Sequence, residues 1–127
     1  MKEIIETENA PAAIGPYSQA VKVTGGEMLF CSGQIPINPE TGNMDSSDVI
    51  TQARQVMQNL IQVITAAGFN LKQVVKTTIY LTDLSSFAQI NEVYASFFES
   101  DYPARSTVQV AALPKGAMVE IEAVAVR

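Results

Sequence analysis

The sequence predicts an α+β domain in which two helices pack on one face of a mixed β-sheet. Three observations point there. Val49, Ala53, Val56, Met57, Leu60, Ile61, Ile64 and Ala67 recur at helical spacing and form one apolar stripe. Phe87, Ile90, Tyr94 and Phe97 form a second, shorter one. Around them lie short segments rich in β-branched residues, in an order that mixes hairpin-like and crossover connections. A length of 127 residues suits one domain with one ordinary core, residues 1–127 throughout.

Taken in order, the stretch Asn9 to Gln19 holds Pro11, Gly15-Pro16 and small residues, and reads as an ordered irregular loop. A first strand is expected near Ala20 to Thr24, a turn at Gly25-Gly26, and a second strand over about Met28 to Ser32. Pro36, Pro39 and Gly42 break the pattern. Asp45, Ser46 and Ser47 offer N-caps for the first helix, and Gly68 sits where a C′ glycine belongs. Val74 to Thr82 reads as a strand. The second helix opens near Asp83 or Ser85, with Pro103 as its stop. Ser106 to Ala111 and Met118 to Val126 complete the strands, on either side of a turn at Leu113-Pro114-Lys115-Gly116.

The last strand shows which face is which. Val119, Ile121, Ala123 and Ala125 make an apolar side suited to the helices; Met118, Glu120, Glu122, Val124 and Val126 make the other. Two helices on one side cannot cover that second, half-apolar face, which implies a partner subunit.

Composition narrows the chemistry. Apolar residues make up 47% and the formal net charge is −5, so a basic surface for nucleic acid is not expected. No apolar run is long enough to suggest a membrane span, and the acidic start Met1 to Glu6 does not read as a secretory signal. With Cys31 the one cysteine, no intrachain disulfide forms, and a cytoplasmic location is the default expectation. There is no histidine, which excludes a His-based triad and a His-ligated zinc site. No glycine-rich nucleotide loop occurs, and no ligand cluster of a metal site is seen.

A few residues could carry chemistry. Arg105, after Tyr102-Pro103-Ala104, is either a solvated arginine at a strand start or a fork for a carboxylate. Glu120, in an otherwise apolar strand, is either solvent-facing or held by a partner; Glu122 shares its face, and two such carboxylates can raise one pKa. Tyr17 either packs in the rigid loop or lines a pocket. Ser32-Gly33 could offer a hydroxyl and a close-approach backbone. Thr107 projects to the same face as Arg105, and Cys31 reads as a small core residue. A cation, a carboxylate and a tyrosine could bind a small carboxylate-bearing molecule and hold a water; these features alone do not select the reaction.

Several segments resemble the signature stretches of the RidA/YjgF (reactive intermediate deaminase) family. They are Ala10 to Gln19, Ser32-Gly33-Gln34-Ile35-Pro36, Val75-Lys76-Thr77-Thr78, Ile90-Asn91-Glu92-Val93-Tyr94, Pro103-Ala104-Arg105-Ser106, Leu113-Pro114-Lys115-Gly116 and Val119 to Ala123. The resemblance implies a chorismate mutase-like fold and a homotrimer whose sheets form a central barrel, with clefts between subunits. It implies a cofactor-independent hydrolase that converts 2-aminoacrylate and related 2-imino acids to 2-oxo acids and ammonium, protecting pyridoxal-phosphate enzymes. By the same resemblance Arg105 binds the substrate carboxylate and Glu120 activates water. Tyr17 lines the cleft from the neighbouring subunit, and Ser32, Gly33 and Asn91 match other cleft positions. Thr107 departs from the cysteine many bacterial members carry. The rival reading is a non-catalytic 2-oxo/2-imino acid-binding regulatory trimer, which needs Arg105 but not Glu120.

Overall fold

The computed structural model of the chain describes residues 2–127. A small antiparallel sheet pairs β1 (Lys2–Ile5) with β2 (Ala20–Val23). The main sheet holds β3 (Met28–Gln34), β4 (Val74–Leu81), β5 (Ala104–Gln109) and β6 (Val119–Val126), in the order β3-β6-β4-β5. β6 runs antiparallel to both neighbours, and β4 pairs with β5 in parallel. That parallel pair needs a crossover, which α2 (Phe87–Ser96) supplies; α1 (Val49–Ala66) joins β3 to β4. The predicted mixed sheet with two helices is present.

The helix stripe holds from Val49 to Ile64, but Ala67, its last expected member, is the exposed C-cap beyond the final turn, and the expected N-cap is wrong as well. Asp48, in extended backbone just before Val49, accepts from Thr51 N at 2.9 Å. Of the expected caps, Ser46 instead accepts from Asp48 N at 2.9 Å, and Asp45 accepts from Asn38 at 2.7 Å. At the other end Gly68 has φ +81° and completes a Schellman motif: Phe69 N donates to Ile64 O at 3.0 Å and Gly68 N to Thr65 O at 2.9 Å. Gln52 is a buried residue the stripe missed. Its amide donates to Ser46 O at 2.8 Å and accepts from Met118 N at 2.9 Å, so a polar side chain is tolerated there.

The second helix differs at both ends. Asp83 caps a short 3₁₀ turn, Leu84–Ser86, before α2 begins, and α2 ends at Ser96, well ahead of Pro103. Its buried residues are Ile90, Val93 and Tyr94, while Phe87 is 37% exposed. β1 was not anticipated at all. It is tied down by Lys2, whose ammonium donates to the carbonyls of Lys72, Val74 and Asp101 at 3.0–3.1 Å.

The core lies between the helices and one sheet face, where Val56, Leu60 and Ile64 of α1 meet Ile79, Val119 and Ile121. Cys31 belongs to this core, as expected. On the opposite face, register places Met28, Phe30, Tyr80, Val108, Glu120 and Glu122. Phe30 is 70% exposed and Met28 58% exposed there, far more than a sheet face in contact with helices would show.

Candidate active site

The β4–β5 register decides where Arg105 goes. Thr77 lies opposite Arg105 and Ile79 opposite Thr107. Thr77 and Ile79 are buried toward the helices, so Arg105 and Thr107 share that side. Because β5 is an edge strand, Arg105 reaches the rim of the core instead of its middle. Its Nη1 donates to Asn91 Oδ1 of α2 at 2.8 Å. Three aromatic rings surround the guanidinium carbon: Tyr94 at 5.3 Å, Tyr17 at 5.4 Å and Phe87 at 5.6 Å. Among the described residues no carboxylate lies within ion-pair distance of Arg105; the ion pair present is Arg127 with Glu27, at 2.7 Å. Burial pulls the Arg105 pKa below its usual value, against the opposite influence of the Tyr94 and Tyr17 phenols.

The N-terminal loop is fastened to this spot. Ser18 Oγ donates to Tyr102 O, and Ser18 N donates to Pro103 O at 3.1 Å. A Cβ at Gly15 would stand 3.6 Å from the Tyr17 ring and 3.8 Å from Arg105 Nη2, so the loop passes close to the guanidinium. Tyr17 therefore reaches Arg105 within its own chain. The Ser18 contacts to Tyr102 and Pro103 are the reason, since they hold the loop against the start of β5.

Glu120 is elsewhere. It faces Tyr80 across the β4–β6 pair, on the side of the sheet away from the helices. Within one chain, Arg105 and Glu120 stand on opposite faces. The Glu120 carboxylate lies against Gly33, where a Cβ would fall 2.0 Å from Oε2, so no side chain fits there without displacing it. Gly33 and Ser32 occupy an irregularity of β3 between Cys31 and Gln34, and Ser32 is exposed. Beside Glu120, Tyr80 donates to Glu122 Oε1 at 2.9 Å, a bond that raises the Tyr80 pKa.

Two clusters result. One joins Arg105, Asn91 and Tyr17, with Thr107 on the same strand face; Thr107 Oγ1 is buried without a hydrogen-bond partner. The other joins Glu120, Gly33 and Ser32. Phe87 and Gly15 were not singled out from the sequence. Phe87 occurs in phase with the helix stripe, and only its exposure separates it from core residues. A cavity of about 620 Å³ lies apart from both, lined by Lys2, Ile4, Leu71, Phe97, Phe98 and Asp101 among others. No group of three or more acidic or cysteine side chains that could hold a metal occurs among the described residues.

Comparison with known proteins follows the same outline. The family described as endoribonuclease L-PSP matches residues 7–127. The chain is 50% identical over 130 aligned positions to a 2-iminobutanoate/2-iminopropanoate deaminase of Escherichia coli (strain K12), covering 100% of this chain and 99% of the relative. Among solved structures, E. coli TdcF with bound serine matches with a TM-score of 0.77 at 51% identity over 98% of each chain. RidA from the Antarctic bacterium Psychrobacter sp. PAMC 21119 matches with a TM-score of 0.77 at 48% identity, over 98% of this chain and 99% of that one.

Proposed function

The chain belongs to the endoribonuclease L-PSP family, the RidA/YjgF family its motifs resemble, and from that premise we propose that it hydrolyses 2-aminoacrylate and related 2-imino acids to 2-oxo acids and ammonium. One observation carries the reading: a half-buried guanidinium with no acidic partner among the described residues, boxed by aromatic rings and oriented by one amide. Leaving a cation without a counter-ion is costly. A substrate carboxylate supplies the missing charge through a bidentate fork.

The chemistry follows from where that carboxylate is held. Fixing it fixes the adjacent imine carbon. Water adds to that carbon as Glu120 takes one of its protons and returns it to the nitrogen; the hydroxyl of the resulting tetrahedral adduct then gives up its proton as a second proton reaches the nitrogen, the C–N bond breaks, and the 2-oxo acid and ammonia leave. Tyr17, Asn91 and Thr107 line the cleft on the Arg105 side, and Ser32 and Gly33 on the Glu120 side.

Because Arg105 and Glu120 face opposite ways in one chain, the complete site joins the Arg105 half of one copy to the Glu120 half of another. The exposed Phe30 and Met28 support this arrangement: a homotrimer with the open sheet face turned inward as a barrel would cover them and bring the two halves together. Against an RNA-cleaving role stand the net charge of −5 and the lack of histidine for general acid–base work. We expect a cytoplasmic enzyme that needs no cofactor.

The test is to generate 2-aminoacrylate with a serine dehydratase and follow its decay with and without the protein. Faster decay, lost in Arg105→Ala, is expected. Binding of 2-oxobutyrate without faster decay would favour the regulatory binder; neither binding nor faster decay would overturn both readings.

A further inference from the structure

We propose, taking Arg105 as the carboxylate clamp, that Thr77 and Tyr94 form a buried positioning pair that holds the guanidinium in its binding orientation. Thr77 stands directly opposite Arg105 in the parallel register, on the same face. Thr77 Oγ1 and Tyr94 OH lie 2.8 Å apart, and both residues are only 1% exposed. The neighbouring helix-facing positions of β4, Ile79 and Leu81, are aliphatic and wholly buried. Packing alone would place valine at Thr77 and phenylalanine at Tyr94. Burying two hydroxyls there costs desolvation that an apolar pair of the same shape avoids.

What the pair adds is a fixed ring. The Thr77 bond ties the far end of the Tyr94 ring to β4, and Phe98 packs on it at 4.9 Å between centroids. The ring so held stands 5.3 Å from the guanidinium carbon. Asn91, one turn earlier on α2, accepts from the same guanidinium at 2.8 Å. One helix thereby restrains the cation at two points, provided the ring and the amide keep their relation to β5. Burial pushes the Tyr94 phenol up to about 12, outweighing the opposite influences of the Thr77 bond and Arg105. The phenol stays neutral over the working range and does not become an anion that competes with the substrate for Arg105.

Neither hydroxyl touches the guanidinium's free donors, so the pair acts through Arg105. A clamp already ordered before binding loses less freedom when the carboxylate arrives. Releasing it should therefore weaken binding more than it slows the chemical step.

The experiment compares the wild type with Thr77→Ser, which keeps the hydroxyl, and with Thr77→Val/Tyr94→Phe, which removes both hydroxyls at once. The readouts are 2-oxobutyrate affinity by calorimetry, KM and kcat for imine decay, and the ¹⁵N-detected Arg105 side-chain resonances without ligand. The double variant should raise Kd and KM by about tenfold, with kcat changed by less than about threefold. Its Arg105 Nη resonances should average where those of the wild type are resolved. Thr77→Ser should keep wild-type values. A folded double variant with wild-type Kd and unaveraged resonances overturns the proposal. So does a Thr77→Ser variant as impaired as the double one, since loss of packing would then explain the effect. The ligand-free resonances read the pair even if the wild type binds no 2-oxo acid, an outcome that would count against the clamp alone.

Discussion

Mixing two inactive variants asks whether Arg105 and Glu120 meet across subunits. Arg105→Ala removes the clamp, and Glu120→Gln removes the base at a cost of about 10²-fold or more in turnover. The two side chains leave opposite faces of one sheet, so on the proposed reading each intact site takes Arg105 from one copy and Glu120 from its neighbour. In a 1:1 mixture assembled at random, half the copies keep Arg105 and half of their neighbours keep Glu120. About one quarter of the sites are then restored in any closed ring, whatever the number of copies. Were both residues supplied by the same copy, no site would be restored. The variants are co-expressed with tags of different mass, native mass spectrometry confirms that mixed assemblies form, and imine decay is followed. Recovery near one quarter of the wild-type rate is expected. Mixed assemblies no more active than either variant alone would refute the shared site.

Other consequences can be measured more simply. Arg105→Lys keeps the charge and loses the fork; with charge-assisted hydrogen bonds at about 1.5–3 kcal/mol each, 2-oxobutyrate affinity should fall by at least about tenfold in calorimetry. Gly33→Ala drives a methyl group into the space of Glu120 Oε2, so turnover should drop by about tenfold or more while 2-oxobutyrate binding persists; unchanged kcat would separate Gly33 from catalysis. Ile64→Ala empties a fully buried position of α1 and should cost about 2–5 kcal/mol in urea unfolding. The backbone N–H of Thr51, then its hydroxyl, hold the Asp48 carboxyl below the ordinary aspartate range. Its stabilisation is complete above that range and is lost as pH falls through the depressed folded value. The gap in Tm between wild type and Asp48→Ala should therefore be open at neutral pH and close in acid.

Much of the scaffold was legible because period and burial coincide. The alternation of Val119, Ile121, Ala123 and Ala125 assigned the faces of β6, and with them the side on which Glu120 lies. Arg105 could not be assigned that way. β5 is an edge strand whose residues are polar or half-exposed on both sides, so its own pattern marks neither face. The parallel register with β4 supplies the answer. β1 escaped notice because Lys2-Glu3-Ile4-Ile5 has no clean alternation, and long-range contacts of Lys2 help hold it. Asp48 is the cap in the structure but was passed over in the sequence for three equally suitable neighbours, since cap choice depends on which residue adopts the extended backbone. Tyr94 looked like one more apolar step in a helix stripe; its hydroxyl partner sits on another element, 17 residues away in sequence.

The strand order also bears on how the chain is made. β6 follows every other strand in sequence yet lies between β3 and β4, where it accounts for most of the pairing in the main sheet. Until β6 emerges from the ribosome, β3 has no partner and β4 can pair only with β5. Met28 and Phe30 on β3 wait through the synthesis of both helices before Val126 and Val124 arrive opposite them. Pairings of such long sequence separation form slowly, and unpaired apolar strands invite association with other nascent chains. Limited proteolysis of ribosome-bound chains should find α1 and β4 open to cleavage until the β6 residues are exposed, and protected together afterwards.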